Sequence, residues 1–110
     1  MAITVNIRYS GKNGAAKAFA REMISSGTVE KIRAGEGNLR YEYYLPFDSD
    51  EETVLLIDSW KNQEAIDAHH ATQMMKTIAE LREKYDLHMS VERFVSTDDM
   101  SEEDKKFIRQ

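Results

Sequence analysis

His69 is the side chain of this sequence best matched to proton transfer near neutral pH. An unperturbed imidazole titrates near about 6.5 and can take a proton from a bound hydroxyl. The competing use of His69 is structural, as a hydrogen-bonding group at a strand end or interface. His70 follows it directly and is turned by about 100° on a helix, which predicts a surface position. Trp60 offers a flat wall for a planar aromatic and an indole N–H for one of its oxygens, or simply packs at a strand end. Asn6 stands among Thr4 and Arg8 on the polar side of an alternating stretch, facing either solvent or a buried space in which its amide needs a partner.

The elements that carry these residues follow from periodicity. Ile3, Val5, Ile7 and Tyr9 alternate with polar residues, which predicts a strand with one apolar face. After the turn chemistry of Ser10 to Gly14, the residues Ala16, Phe19, Ala20, Met23 and Ile24 recur at helix spacing. Thr28 is placed to cap a further short turn around Val29 and Ile32. The Tyr-rich stretch Leu39 to Leu45 reads as a second strand ending at Pro46. Thr53 to Trp60 reads as a third, joined to it by the charged hairpin Asp48-Ser49-Asp50-Glu51-Glu52. Asn62 is an expected N-cap, followed by Ala65, Ile66 and His69 at helix spacing. Met74, Ile78, Leu81 and Tyr85 continue as an apolar stripe, and Leu87 to Val95 forms a fourth strand. Residues 1–96 are thus expected to form the domain and residues 97–110 a charged tail, with Ser101 and Asp104 capping a short helix around Phe107 and Ile108.

The resulting order, β-α-β-β-α-β, predicts an α+β, ferredoxin-like fold, a four-stranded antiparallel sheet with helices on one face. Its other face is left bare. If Leu55 and Ile57 face the helices, then Val54, Leu56 and Trp60 face outward. A bare apolar sheet face predicts a homodimer with two sheets packed face to face.

Composition narrows the chemistry further. The chain has 110 residues, 20 acidic and 15 basic, for a net charge of −5, and it contains no cysteine. One core fits in that length, and thiolate nucleophiles, disulfides and cysteine metal sites are excluded. With no basic stripe, nucleic acid is not expected as a partner. The longest apolar run, Val54 to Ile57, is far short of a membrane span, and no secretion signal is evident, so a cytoplasmic location is expected. Gly11-Lys12-Asn13-Gly14 lacks the spacing of a phosphate loop and reads as a turn.

The stretch Glu36-Gly37-Asn38-Leu39-Arg40-Tyr41-Glu42, then Asp58-Ser59-Trp60, Ala65, Ala68-His69, Thr72 and Met75-Lys76 resembles the antibiotic biosynthesis monooxygenase family, with the resemblance covering roughly residues 3–95. It implies a dimeric α+β barrel. The family's chemistry is spread over cofactor-free oxidation of quinols and polyketide phenols, autoinducer processing and haem degradation. In the haem-degrading branch the resemblance implies an Asn on strand one, a Trp closing strand three and an iron-binding His one helix later. Asn6 and Trp60 match the first two, but the ligand position falls at Ala79 with no His near it. Ala68-His69 matches the pair carried by the quinol and autoinducer branches, while the second His of a Thr-Pro-His-type segment is replaced by Thr72-Gln73-Met74.

The expected function is therefore cofactor-independent monooxygenation of a small quinol or phenol with O2. His69, Trp60 and Asn6 are the catalytic candidates, and Leu56, Asp58, Tyr44, Met74, His88 and Phe94 the substrate-binding ones. No metal and no cofactor is expected. The alternative is a non-catalytic or stress-associated dimer that holds a small apolar ligand in the same cavity, with the haem and autoinducer activities behind it.

Overall fold

Strand alternation in Ile3, Val5, Ile7 and Tyr9 places these side chains on one face of β1 (Ile3–Ser10), and that face carries the core. The computed structural model describes residues 1–49, 52–97 and 99–109. After β1 come α1 (Ala15–Ser25), α2 (Thr28–Arg33), β2 (Asn38–Tyr44), β3 (Thr53–Trp60), α3 (Gln63–His70), α4 (Met74–Lys84), β4 (His88–Val95) and α5 (Glu102–Lys105). The strands form one antiparallel sheet in the order β2-β3-β1-β4, the expected ferredoxin-like arrangement with each connecting helix broken in two.

The breaks have local causes. Gly27, at φ 82°, turns the chain between α1 and α2. Thr28 was expected as a cap but is the first residue of α2, its hydroxyl 2.8 Å from that of Ser26. Between α3 and α4 the Thr72 hydroxyl donates to the His69 carbonyl at 2.7 Å. Asp50 and Glu51 of the expected hairpin, and Asp98 and Gln110 of the tail, lie outside the described residues. The terminal helix stops at Lys105, short of Phe107 and Ile108, with Ser101 Oγ accepting from Asp104 N at 3.0 Å.

Register settles the faces of the sheet. Ile3 pairs with Trp60, Val5 with Asp58, Ile7 with Leu56 and Tyr9 with Val54. Directly paired residues share a face, so Val54, Leu56, Asp58 and Trp60 point toward the helices. The reverse assignment, in which Leu55 and Ile57 would face them, does not hold. The buried core is built from this face together with Phe19 and Met23 of α1, Ile32 of α2 and Ile66, Ile78 and Leu81 of α3 and α4. The opposite face carries Thr4, Asn6, Leu55, Ile57, Ser59 and, from β4, His88, Ser90, Glu92 and Phe94. β4 is exposed along its whole length.

Candidate active site

A cavity of about 360 Å³ opens between the helix-facing side of β1, β3 and β4 and the helices α3 and α4. Most of its wall is apolar, with Val5, Ile7, Ile66, Met75, Ile78 and Val91 contributing. Its polar groups are Asp58, His69, Tyr9, Tyr41, Gln63, Arg82, Arg93 and the exposed His70.

The entry to α3 is fixed by two contacts. The Asn62 side chain accepts from Ala65 N at 2.9 Å, the expected N-cap. Gly37, at φ +85°, brings its carbonyl within 2.9 Å of Lys61 N, in a place so tight that a Cβ would stand 2.6 Å from that of Ala65. From this start, helical spacing turns Ile66 and His69 inward. On α4, Met75, Ile78 and Arg82 share one stripe by the same rule.

His69 is only 7% exposed and stacks on Trp60, with ring centroids 4.8 Å apart and planes 24° from parallel. Its Nδ1 is buried and has no hydrogen-bond partner among the described residues. Burial, with a smaller contribution from His70, pushes its pKa down to about 4, so the ring is neutral at pH 7. Trp60 Nε1 donates to Asp58 Oδ1 at 2.5 Å. Burial raises the Asp58 carboxyl to about 6, against the lowering effect of that indole hydrogen bond. Tyr9 and Tyr41 are both raised, mainly by burial, Tyr9 to about 12, so both phenols are protonated donors. A second, smaller cavity of about 110 Å³ is bordered by Trp60, His69, Thr72 and Met74, and His69 borders both.

The sequence-derived candidates divide between the two sheet faces. His69 and Asp58 line the main cavity, Trp60 stands behind them, Met74 borders the smaller cavity, and Leu56 is in the core. Asn6, Tyr44, His88 and Phe94 are on the opposite face, away from the imidazole. There Asn6 Oδ1 is buried without a partner among the described residues, and Tyr44 OH donates to Glu42 Oε2 at 2.9 Å. Arg82, Arg93 and Tyr9 are not among those candidates; of the β2 tyrosines, whose faces parity alone leaves open, Tyr41 lines the cavity. The signal for Tyr9 was its parity with Ile3, Val5 and Ile7, and for Arg82 its place on a helix stripe with Met75 and Ile78. For Arg93 it was parity with Met89 and Val91. Ala79, where an iron-binding His would stand in the haem-degrading branch, is exposed on α4, so the chain does not fit that ligand role. Among the described residues no group of three His, Cys, Asp or Glu could hold a metal ion.

Such a site can accept a proton from a hydroxyl bound in an apolar space and stabilise the resulting anion with protonated phenols and guanidinium groups. A family profile described as antibiotic biosynthesis monooxygenase matches residues 2–81. A candidate antibiotic biosynthesis monooxygenase from Caulobacter crescentus CB15 superposes with a TM-score of 0.74 at 15% identity, covering 88% of this chain and 91% of that one. A second, from Deinococcus radiodurans, gives 0.72 at 15% identity over 92% and 97% of the two chains. A Mycobacterium tuberculosis protein gives 0.72 at 20% identity over 92% and 100%. At these identities the structural likeness is one of fold. No curated protein matches the sequence. The family match supports a monooxygenase-like role in general terms.

Proposed function

The chain belongs to the antibiotic biosynthesis monooxygenase family, and from that premise we propose that it is a cofactor-independent monooxygenase of a small phenol or quinol. The observation that carries this reading is a carboxylate, Asp58, held by the Trp60 N–H in an apolar cavity beside a neutral imidazole.

Two groups are placed to take the hydroxyl proton, and magnitude chooses between them. A phenol ordinarily titrates near about 10. Transfer to Asp58, at about 6, is uphill by roughly 5 kcal/mol, and transfer to His69, at about 4, by roughly 8 kcal/mol. In this proposal Asp58 is the base, using the oxygen not held by Trp60. His69 is a neutral hydrogen-bonding partner of the substrate. The phenolate then gives one electron to O2, and the superoxide and aryl radical combine at a ring carbon that bears hydrogen, para to the oxygen in a phenol and ortho to it in a quinol. Loss of the proton on that carbon with cleavage of the O–O bond, the departing oxygen taking up that proton and the one held by Asp58, leaves a quinone and one water. One oxygen atom enters the product, the other leaves as water, and the substrate supplies all the electrons.

The same reading takes a homodimer as the active unit, joined through the open sheet face. Asn6 Oδ1 has no partner there among the described residues and Phe94 is 48% exposed, and a second copy would supply a partner for one and cover for the other. Residues 1–96 are taken as the folded unit, tied off by Ser96 N to Ala2 O at 2.9 Å, and 97–110 as an appended tail. Cytoplasmic residence belongs to the proposal. Among the described residues no helix is long and apolar enough to cross a membrane.

Oxygen uptake on a panel of hydroquinones and phenols tests the reading. Turnover without added haem, flavin or metal, abolished in Asp58→Asn, is expected. Binding without turnover throughout the panel replaces the enzyme with a ligand-holding dimer.

A further inference from the structure

The charge inside the cavity runs against that of the molecule. The chain carries a net −5, yet the charged residues lining the cavity are one carboxylate, Asp58, and two guanidinium groups, Arg82 and Arg93. Neither arginine is in an ion pair among the described residues, although five such pairs occur elsewhere on the surface.

The two arginines are not equivalent. Arg93 is exposed and already donates to the Gln63 side-chain oxygen at 2.5 Å. Arg82 is half-buried, and among the described residues its side chain donates only to the Met89 sulfur, at 3.2 Å. A thioether is a weak acceptor, and a guanidinium has five N–H groups in a fork that matches a carboxylate. Arg82 lines the cavity, and its charge is felt at the Tyr9 hydroxyl, whose pKa it lowers against the effect of burial.

Position along the sheet separates this cation from the base. Asp58, Val5 and Arg93 lie in one row across three strands. Arg82 sits over Met89, four residues away along β4 and thus about 13 Å from that row. A substrate with its hydroxyl at Asp58 and an anionic group at Arg82 therefore keeps the two negative charges at opposite ends of the cavity. One guanidinium balances a single charge, which favours a carboxylate over a dianion.

We infer that the substrate is an aromatic acid, a phenol or quinol bearing a carboxylate at the end remote from the reacting hydroxyl, and that Arg82 binds that carboxylate. This rests on the reading of the cavity as an oxygenase site and adds the substrate's charge to it. Arg93 adds positive potential at the rim.

Equilibrium binding tests the inference apart from turnover. The probe is a hydroxynaphthoate with hydroxyl and carboxylate on opposite rings, compared by calorimetry with its methyl ester. The acid should bind wild-type protein at least about tenfold tighter, as expected for a charge-assisted hydrogen-bonded pair. Arg82→Gln should reduce the ratio to near one, and Arg93→Gln should reduce it less. Equal affinities in the wild type, tighter binding of the ester, no binding of either, or a preference that survives Arg82→Gln would each overturn it. The wild-type comparison needs no variant, so a misfolded Arg82→Gln does not protect the inference. Failure of oxygen uptake with the acid preference intact would sink the oxygenase reading alone.

Discussion

Replacing Asp58 by Asn should make the protein more stable and less active. Burial raises the carboxyl from its ordinary 3.8 to about 6 in the folded state. At about 1.4 kcal/mol per pKa unit, ionised Asp58 costs the fold about 3 kcal/mol at neutral pH. The sign follows from the raised value. Asp58 favours folding below pH 3.8, and that contribution is lost as pH rises through about 6. Asn removes the charge while keeping an oxygen for the Trp60 N–H, and the value of about 6 already includes what that bond gives the carboxylate. The net gain is about 3 kcal/mol near pH 7.5, and it should shrink toward zero near pH 4. His69 runs the other way, since its value, lowered to about 4, gives stability above 6.5 that is lost as pH falls through 4. It is present in both proteins and cancels in the difference. Urea unfolding at the two pH values, followed by the fluorescence of the single tryptophan, measures this directly. Oxygen uptake in the same variant should fall by about 100-fold or more through loss of the base. A variant less stable than wild type near pH 7.5, or a stability difference independent of pH, would refute the account of Asp58 as a buried charge retained for chemistry.

Trp60→Phe removes the indole donor to Asp58, so the acid limb of the pH profile of kcat/KM should move up by about one pH unit; an unmoved limb counts against Asp58 as the base. Gly37→Ala combines a positive φ with a Cβ driven to 2.6 Å from Ala65, and should lower stability by about 2 to 4 kcal/mol in denaturant unfolding. A loss below about 0.5 kcal/mol would show that the loop yields without strain. Asn62→Ala removes the α3 cap, and its unfolding midpoint should report a loss of about 1 kcal/mol, an unchanged midpoint meaning that the cap adds nothing.

The order of elements could be read from the chain because most of it obeys a single period. Ile3 to Tyr9 alternates cleanly, Asn62 caps where it should, and the split helices each keep an apolar stripe. β3 could not be assigned a face in this way. Val54-Leu55-Leu56-Ile57 is apolar at both parities, because one side enters the core while the other lies half-buried on the open face. Only the pairing of Leu56 with Ile7 settles the choice. That same ambiguity left Asp58 among the substrate-binding candidates with no face assigned, and its carboxylate lies on the core side. It also mixed two sheet faces in one candidate set, so that Asn6 and His88 were grouped with His69 although the sheet stands between them. The cavity arginines escaped notice because α4 and β4 reach the site only through tertiary packing, with the apolar residues around them suggesting plain core.

Turnover of a carboxylate-bearing hydroquinone under isotopically heavy dioxygen tests the central claim most directly. With no haem, flavin or metal added, mass spectrometry should find one heavy oxygen atom in each quinone product and the other in water, and Asp58→Asn should abolish both. Quinone without heavy oxygen, formed together with hydrogen peroxide, would mean simple oxidation and would contradict an oxygenase built on Asp58, Trp60 and His69.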